Sequence, residues 1–193
     1  VVAFEGGKFR VFGETLDLGV GNFIDTIART MGLGFPGGPK IAELADKYDD
    51  KDDLLELPYS VKGMDVSLSG VQTKVRNLIE HGEDKRRIAF SLQETVFAML
   101  VEVAERALAH TGKSELLLGG GVACNDRLVE MCEIMCRERG VKLAVPEKGL
   151  LVDNGAMIGY LGLKMYKAGL ATKDYDSVDI APRERTDDVE VVW

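Results

Sequence analysis

Glu115-Leu116-Leu117-Leu118-Gly119-Gly120-Gly121-Val122-Ala123-Cys124-Asn125 is the stretch whose reading decides the fold. Glu115–Leu118 has the length and apolar character of a buried strand, and it runs into three glycines. From Asn125 to Arg139 the apolar residues return at helical spacing, with Asn125 placed as a natural N-cap. Val141–Val145 then reads as a second strand. A strand that stops in glycines and restarts as a helix brings bare backbone N–H groups close to a ligand. The helix dipole favours negative charge at that point. Leu151-Val152-Asp153-Asn154-Gly155-Ala156-Met157 reads as a second elbow of the same kind, and it carries a carboxylate. The β-α-β run implies an α/β fold with a partly parallel sheet. Ligands of such sheets sit beyond the carboxyl ends of the strands, where both elbows are expected.

Working outward, Val1–Phe4 and Lys8–Thr15 read as a hairpin turning at Gly6-Gly7. Val20, Phe23, Ile24, Ile27, Ala28 and Met31 fall at helical spacing, with Gly32 as a stop. Phe35–Pro39 reads as a rigid turn before a short helix at Ile41–Tyr48, and Asp49–Asp53 as a solvated loop. Leu57–Val61 and Met64–Leu68 suggest short strands about Lys62-Gly63. Val71–His81, Asp84–His110 and Asp153–Ala168 suggest helices, and a polar tail from Thr172 to Trp193 is expected to wrap back over the surface.

The 193 residues can bury a substantial core, and 46% hydrophobic with 29% charged residues is ordinary for a globular protein. A net charge of -8 argues against a basic-faced nucleic-acid binder; any RNA substrate needs a local patch or a partner to supply positive field. Lys74, Arg76, Lys85, Arg86 and Arg87 form a modest basic cluster that reads either as solvated helix surface or as an RNA-phosphate contact. The three cysteines, Cys124, Cys132 and Cys136, lack a disulfide framework, which suggests a reduced, cytoplasmic setting. Cys132 and Cys136 read as small core residues. No apolar run approaches the roughly 20 residues that cross a bilayer. The chain opens without Met inside a strand-like run, which reads as the later part of a longer protein.

Four residues are candidates for chemistry. Asp25 lies beside the buried stripe of its helix, where it either solvates the outer face or receives both ribose hydroxyls of a nucleotide. Gly38 either serves a tight turn ahead of Pro39 or lets backbone approach a nucleoside. Asn125 and Asp153 can each cap a helix. Asp153 can also act as a hard ligand for a divalent ion. Neither His81 nor His110 has ligand-like spacing, and no general base stands out.

Six motifs occur here in one order: Gly13-Glu14-Thr15-Leu16-Asp17, Phe35-Pro36-Gly37-Gly38-Pro39-Lys40, Val61-Lys62-Gly63-Met64-Asp65-Val66-Ser67, Ser91-Leu92-Gln93-Glu94-Thr95, Gly120–Asn125 and Asp153–Met157. Together they resemble the universal tRNA threonylcarbamoyladenosine synthase family in its archaeal and eukaryotic KEOPS form, formerly called O-sialoglycoprotein endopeptidase. The resemblance implies the actin/hexokinase/Hsp70-like ATPase fold, built from two ribonuclease H-like lobes around a nucleotide cleft. Residues 1–18 would end the first lobe, 19–171 would form the second with helical insertions, and 172–193 the tail. By the same resemblance Asp25, Gly38 and Asn125 contact the nucleoside and ribose of ATP or threonylcarbamoyl-AMP. Asp153 ligates one divalent metal, whether iron, zinc or magnesium. Ala42 stands where the family often has a second ribose-binding Glu, and the family's paired metal-binding histidines and Ser-Gly-Gly-Asn-Thr loop are absent from this sequence. The implied substrate is tRNA, and the implied partners are a small kinase-like ATPase and a small dimerising subunit. The segment alone is expected to be inactive. A metallo-endopeptidase, a sugar or acetate kinase of the same superfamily, and a non-catalytic scaffold are the competing readings.

Overall fold

A computed structural model describes residues 1–172 and 174–193. Strands β1 (Val2–Glu5) and β2 (Lys8–Val11) form the expected antiparallel hairpin, with Val2 opposite Val11 and Glu5 opposite Lys8. Gly6 and Gly7 take φ of 60° and 81°, as a two-residue hairpin turn requires. Thr15 does not extend β2. It forms a parallel bridge to Val66 instead. Helices α1 (Val20–Thr30) and α2 (Gly37–Asp46) follow, then a tight hairpin of β3 (Val61–Lys62) and β4 (Asp65–Val66). Helices α3 (Ser69–Glu80) and α4 (Lys85–Thr111) lead to β5 (Glu115–Leu117), α5 (Asp126–Arg139) and β6 (Lys142–Ala144). Strands β5 and β6 pair in parallel with α5 as the crossover, as the β-α-β reading requires. Among the described residues, the strands form three two-stranded sheets rather than one larger sheet.

The core lies between helices. Phe23, Ile27 and Ala28 of α1, Ile41 and Ala45 of α2, Val71 and Val75 of α3, and Ile88, Leu92, Val96, Phe97 and Met99 of α4 are buried together. α4 carries buried residues around most of its circumference because it packs against α2, α3 and α5. A smaller cluster of Ala104, Leu108, Met135 and Cys136 lies beside the β5–β6 pair. Cys132 and Cys136 are core residues, and burial, with Cys136 alongside, pushes the Cys132 thiol up to about 11.

Three expectations need correction. The second elbow does not follow a strand directly: Lys148–Leu151 is a helical turn, α6, which the apolar Leu150-Leu151-Val152 run disguises. Helix α2 begins at Gly37, so Gly37 and Gly38 belong to its first turn rather than to a preceding loop. Asp53 is not simply solvated, because it accepts the Tyr48 hydroxyl at 2.6 Å and pairs with Arg87. The last helix, α7 (Gly155–Lys167), forms as expected yet buries none of its residues; Ile158, Tyr160 and Tyr166 are 64 to 70% exposed. The tail returns to the first hairpin, where Glu190 bridges Lys8 and the Val191 N–H donates to the Gly7 carbonyl at 3.3 Å.

The Gly13–Asp17 motif is a joint. A Cβ on Gly13 would lie 1.9 Å from the Met64 carbonyl oxygen, so only glycine lets the chain pass there. Asp17 accepts the N–H groups of Leu68 and Ser69, each at 2.9 Å, and the Ser67 hydroxyl. Burial works to raise its pKa, but these donors outweigh burial and hold the carboxyl well below the usual range. A carboxyl lowered on folding adds stability above its unfolded pKa of about 4, and that stability fades as the pH falls toward the folded value. Asp17→Asn should therefore cost about 1 kcal/mol at pH 7, after discounting for solvent exposure. Urea unfolding from pH 6 to pH 2 should show the gap from the native residue shrinking steadily. A gap that does not change with pH would remove the charge from this account.

Candidate functional site

Asp25 lies at the edge of α1's buried face, as its position after Ile24 suggests. Its Oδ1 accepts the Gly37 N–H at 2.7 Å, so the carboxylate sits on the first turn of α2, where the dipole favours it. Asp25 is thus neither a free surface charge nor fully available to a ligand; one oxygen joins α1 to α2 and the other remains. Glycine at 37 is what allows the joint. A Cβ there would lie 2.6 Å from the Ala28 Cβ and 2.9 Å from Asp25 Oδ1.

Gly38 is different. A Cβ on it would meet no other element within 4 Å, and only the ring of the following Pro39 opposes a side chain there. In the first turn of α2 the Gly37 N–H is taken and Pro39 has none, while the Gly38 N–H finds no acceptor among the described residues. This leaves a backbone donor in the first turn of α2, on a residue whose missing side chain no neighbouring element requires. Ala42 follows one turn later, half-buried. Lys40 donates to the Leu33 carbonyl at 2.5 Å and so is engaged structurally.

The glycine elbow is built as the sequence suggests, with one addition. After β5, Gly120 takes φ 86°, a conformation that favours glycine, and Gly121–Cys124 forms a 3-10 turn before α5. Asn125 caps α5, its Oδ1 accepting the N–H of Arg127 at 2.9 Å and of Leu128 at 3.3 Å. Its Nδ2 donates to Gln93 Oε1 at 2.6 Å. The elbow packs toward α1, since a Cβ on Gly21 would lie 3.7 Å from Val122 Cγ2. Val20, Gly21, Gly119–Ala123 and Leu128 line a cavity of about 330 Å³ there. A second cavity of about 330 Å³ is lined by Ala45, Phe90, Gln93, Glu94 and Arg127.

Asp153 is placed beside the first elbow through its neighbour: a Cβ on Gly121 would lie 4.0 Å from Val152 Cγ1. The helix-capping reading of Asp153 fails, because Asn154 is the cap of α7 and its Oδ1 accepts the Met157 N–H at 3.0 Å. Asp153 is exposed and has no hydrogen-bond or ion-pair partner among the described residues. The donor chemistry suits a hard cation, but as a single ligand: among the described residues no three His, Cys, Asp or Glu side chains converge.

Of the basic cluster, Arg86 pairs with Asp84 at 2.7 Å, Arg87 with Asp53 and Glu83, and Lys85 donates to the Met31 carbonyl at 2.8 Å. Only Lys74 and Arg76 are left without such partners among the described residues. Sequence reading missed Gln93 and its neighbour Glu94, which grips Arg127 through two bonds of 2.7 Å. The signal was present: Gln93 is four residues from buried Ala89 and Phe97, a polar residue on an apolar face.

The mixed α/β fold fits the actin/hexokinase/Hsp70-like class. The HypF structure of T. kodakarensis shares the fold at a TM-score of 0.60 and 22% identity, over 80% of this chain and 21% of that one. Residues 1–160 match the family model described as TsaD: tRNA N6-adenosine threonylcarbamoyltransferase. The chain belongs to that family. A tRNA N6-adenosine threonylcarbamoyltransferase of Thermococcus kodakarensis is 56% identical over 194 residues, covering all of this chain and 58% of the relative. A probable bifunctional tRNA threonylcarbamoyladenosine biosynthesis protein of Methanosarcina barkeri is 52% identical over 198 residues and is covered to 34%. The chain therefore spans little more than half the length of such single-function relatives.

The two glycines separate packing from function. Gly37→Ala should destabilise by about 1–3 kcal/mol through overpacking against Ala28. Gly38→Ala should cost less than that, since its Cβ meets no neighbouring element and is opposed only by the Pro39 ring. Thermal unfolding of both variants checks this, and equal losses would contradict the distinction.

Proposed function

We propose that this chain is the nucleoside-gripping part of an enzyme that moves a threonylcarbamoyl group from threonylcarbamoyl-AMP to the adenosine 3′ of the tRNA anticodon. The observation that carries the reading is Gly38: an unpaired helix-terminal N–H on open backbone, beside a carboxylate with one oxygen still uncommitted. The Gly38 N–H donates to one ribose hydroxyl oxygen, Asp25 Oδ2 accepts from a ribose O–H, and the Asn125 amide meets the base. The glycines of the elbow admit the phosphate close to backbone. The exocyclic amine of adenosine attacks the carbamoyl carbon and gives up one proton to solvent, the bond from that carbon to the phosphate oxygen breaks, and AMP leaves with that bond's electron pair. The protein's contribution is to hold the mixed anhydride by its adenosine end while oriented N–H groups stabilise the departing charge.

A divalent ion, whether iron, zinc or magnesium, would be held in part by Asp153 and would supply Lewis-acid polarisation. Its other ligands would come from histidines outside this sequence. With Arg86 and Arg87 neutralised by carboxylates, tRNA binding depends on added positive field, which the kinase-like ATPase and small dimerising subunit of a KEOPS-type assembly would supply.

Threonylcarbamoyl transfer to tRNA, assayed with the complete protein, tests the reading. Asp153→Ala should lower the rate roughly 100-fold with the fold intact. Gly38→Ala, which the free protein accommodates, should weaken ATP binding about tenfold or more. The 193-residue chain by itself should transfer nothing. Native rates in Asp153→Ala would make that carboxylate an ordinary surface group, and native ATP affinity in Gly38→Ala would remove the nucleoside from α2.

A further inference from the structure

The Ser91–Thr95 motif has no part in the reaction described above, yet it supplies Ser91 and Gln93, the two buried polar residues among those described, at 0% and 3% exposure. Ser91 ties the segment before β3 to α4, its Oγ accepting the Leu55 N–H at 2.9 Å. Gln93 does not serve its own helix. Its Oε1 accepts from Asn125 Nδ2 at 2.6 Å, across 32 residues of sequence. Burying a carboxamide where leucine would pack is costly unless its hydrogen bonds do something specific.

We infer that Gln93 is a positioning residue that fixes which end of the Asn125 carboxamide faces a bound nucleoside. This rests on the nucleotide reading above and deepens it. A carboxamide can turn over with almost no change of shape, exchanging its oxygen for its NH2. Two constraints here select the same orientation. The N–H groups of Arg127 and Leu128 require Asn125 Oδ1, and Gln93 Oε1 requires Nδ2. Capping alone would be served as well by Asp or Ser, so Gln93 adds something beyond a cap. The adjacent Glu94–Arg127 pair, at 2.7 Å through both oxygens, holds α4 against the start of α5 so that the bond keeps its length. With Oδ1 used by the helix and one N–H by Gln93, Asn125 has one N–H left. It can therefore only donate. It selects an acceptor on the base, a purine ring nitrogen, and not the exocyclic amine.

The test measures binding of ATP and of its 1-deaza, 3-deaza and 7-deaza analogues, each lacking one ring acceptor, to the complete protein. The native protein should bind one analogue about 3- to 10-fold more weakly than ATP, the worth of one hydrogen bond. In Gln93→Met that preference should fall, because the Arg127 and Leu128 N–H groups then orient the carboxamide alone, and Gln93→Glu at pH 8, which keeps an acceptor, should restore it. If Gln93→Met does not fold, Gln93→Asn withdraws the amide by one methylene and should lose the preference likewise. A purely structural role would weaken ATP and all analogues alike, and that result, or a preserved preference in Gln93→Met and Gln93→Asn, would overturn the inference. Asn125→Ala separates the two levels. Native ATP affinity in Asn125→Ala would remove the nucleotide reading and this inference together. Weak binding there beside a native preference in Gln93→Met would overturn this inference alone.

Discussion

The hydrogen bond from the Gly37 N–H to the Asp25 carboxylate is the constraint around which the site is arranged. It brings α1 and α2 so close that residue 37 cannot carry a side chain, and it uses the first free donor of α2. Pro39 removes the third. What remains in that first turn is the Gly38 N–H, without an acceptor among the described residues, beside a carboxylate oxygen that the helix does not need. A helix N-terminus is ordinarily satisfied by its cap or by water. Here the N-cap is Pro36, which has no side-chain donor or acceptor, and a residue from the neighbouring helix takes over only part of the task.

The same economy of polar groups recurs at Asn125. Its amide closes the start of α5 and reaches into the core to Gln93, with the Glu94–Arg127 pair alongside. Hydrogen bonding to Glu94 is the main reason the Arg127 guanidinium is held even more firmly charged than usual; burial opposes this and Glu130 reinforces it. α4 therefore does more than fill the core. It sets where the elbow's cap lies and which way that cap is turned.

Local pattern made much of this legible in the sequence. The first hairpin, α1, α4, the β5-α5-β6 crossover, the Asn125 cap and the core placement of Cys132 and Cys136 all follow from periodicity, turn glycines and capping chemistry. Errors arose where two local signals compete. Leu150-Leu151-Val152 is apolar enough for a strand, yet Lys148–Leu151 makes a helical turn, and of the adjacent Asp153 and Asn154 the second is the cap. Long-range polar bonds were not legible, because no periodicity links Asp17 to Leu68 or Gln93 to Asn125. The bond from the Gly37 N–H that leaves Asp25 half committed was equally invisible to local pattern.

The account turns on where adenosine sits, and a crystal structure of the complete protein with bound ATP measures that directly. It should show the ribose against the Gly38 N–H and Asp25, with a ring nitrogen of the base within hydrogen-bonding distance of Asn125 Nδ2. Adenosine lodged elsewhere, with Gly38 and Asn125 still facing solvent, would contradict it.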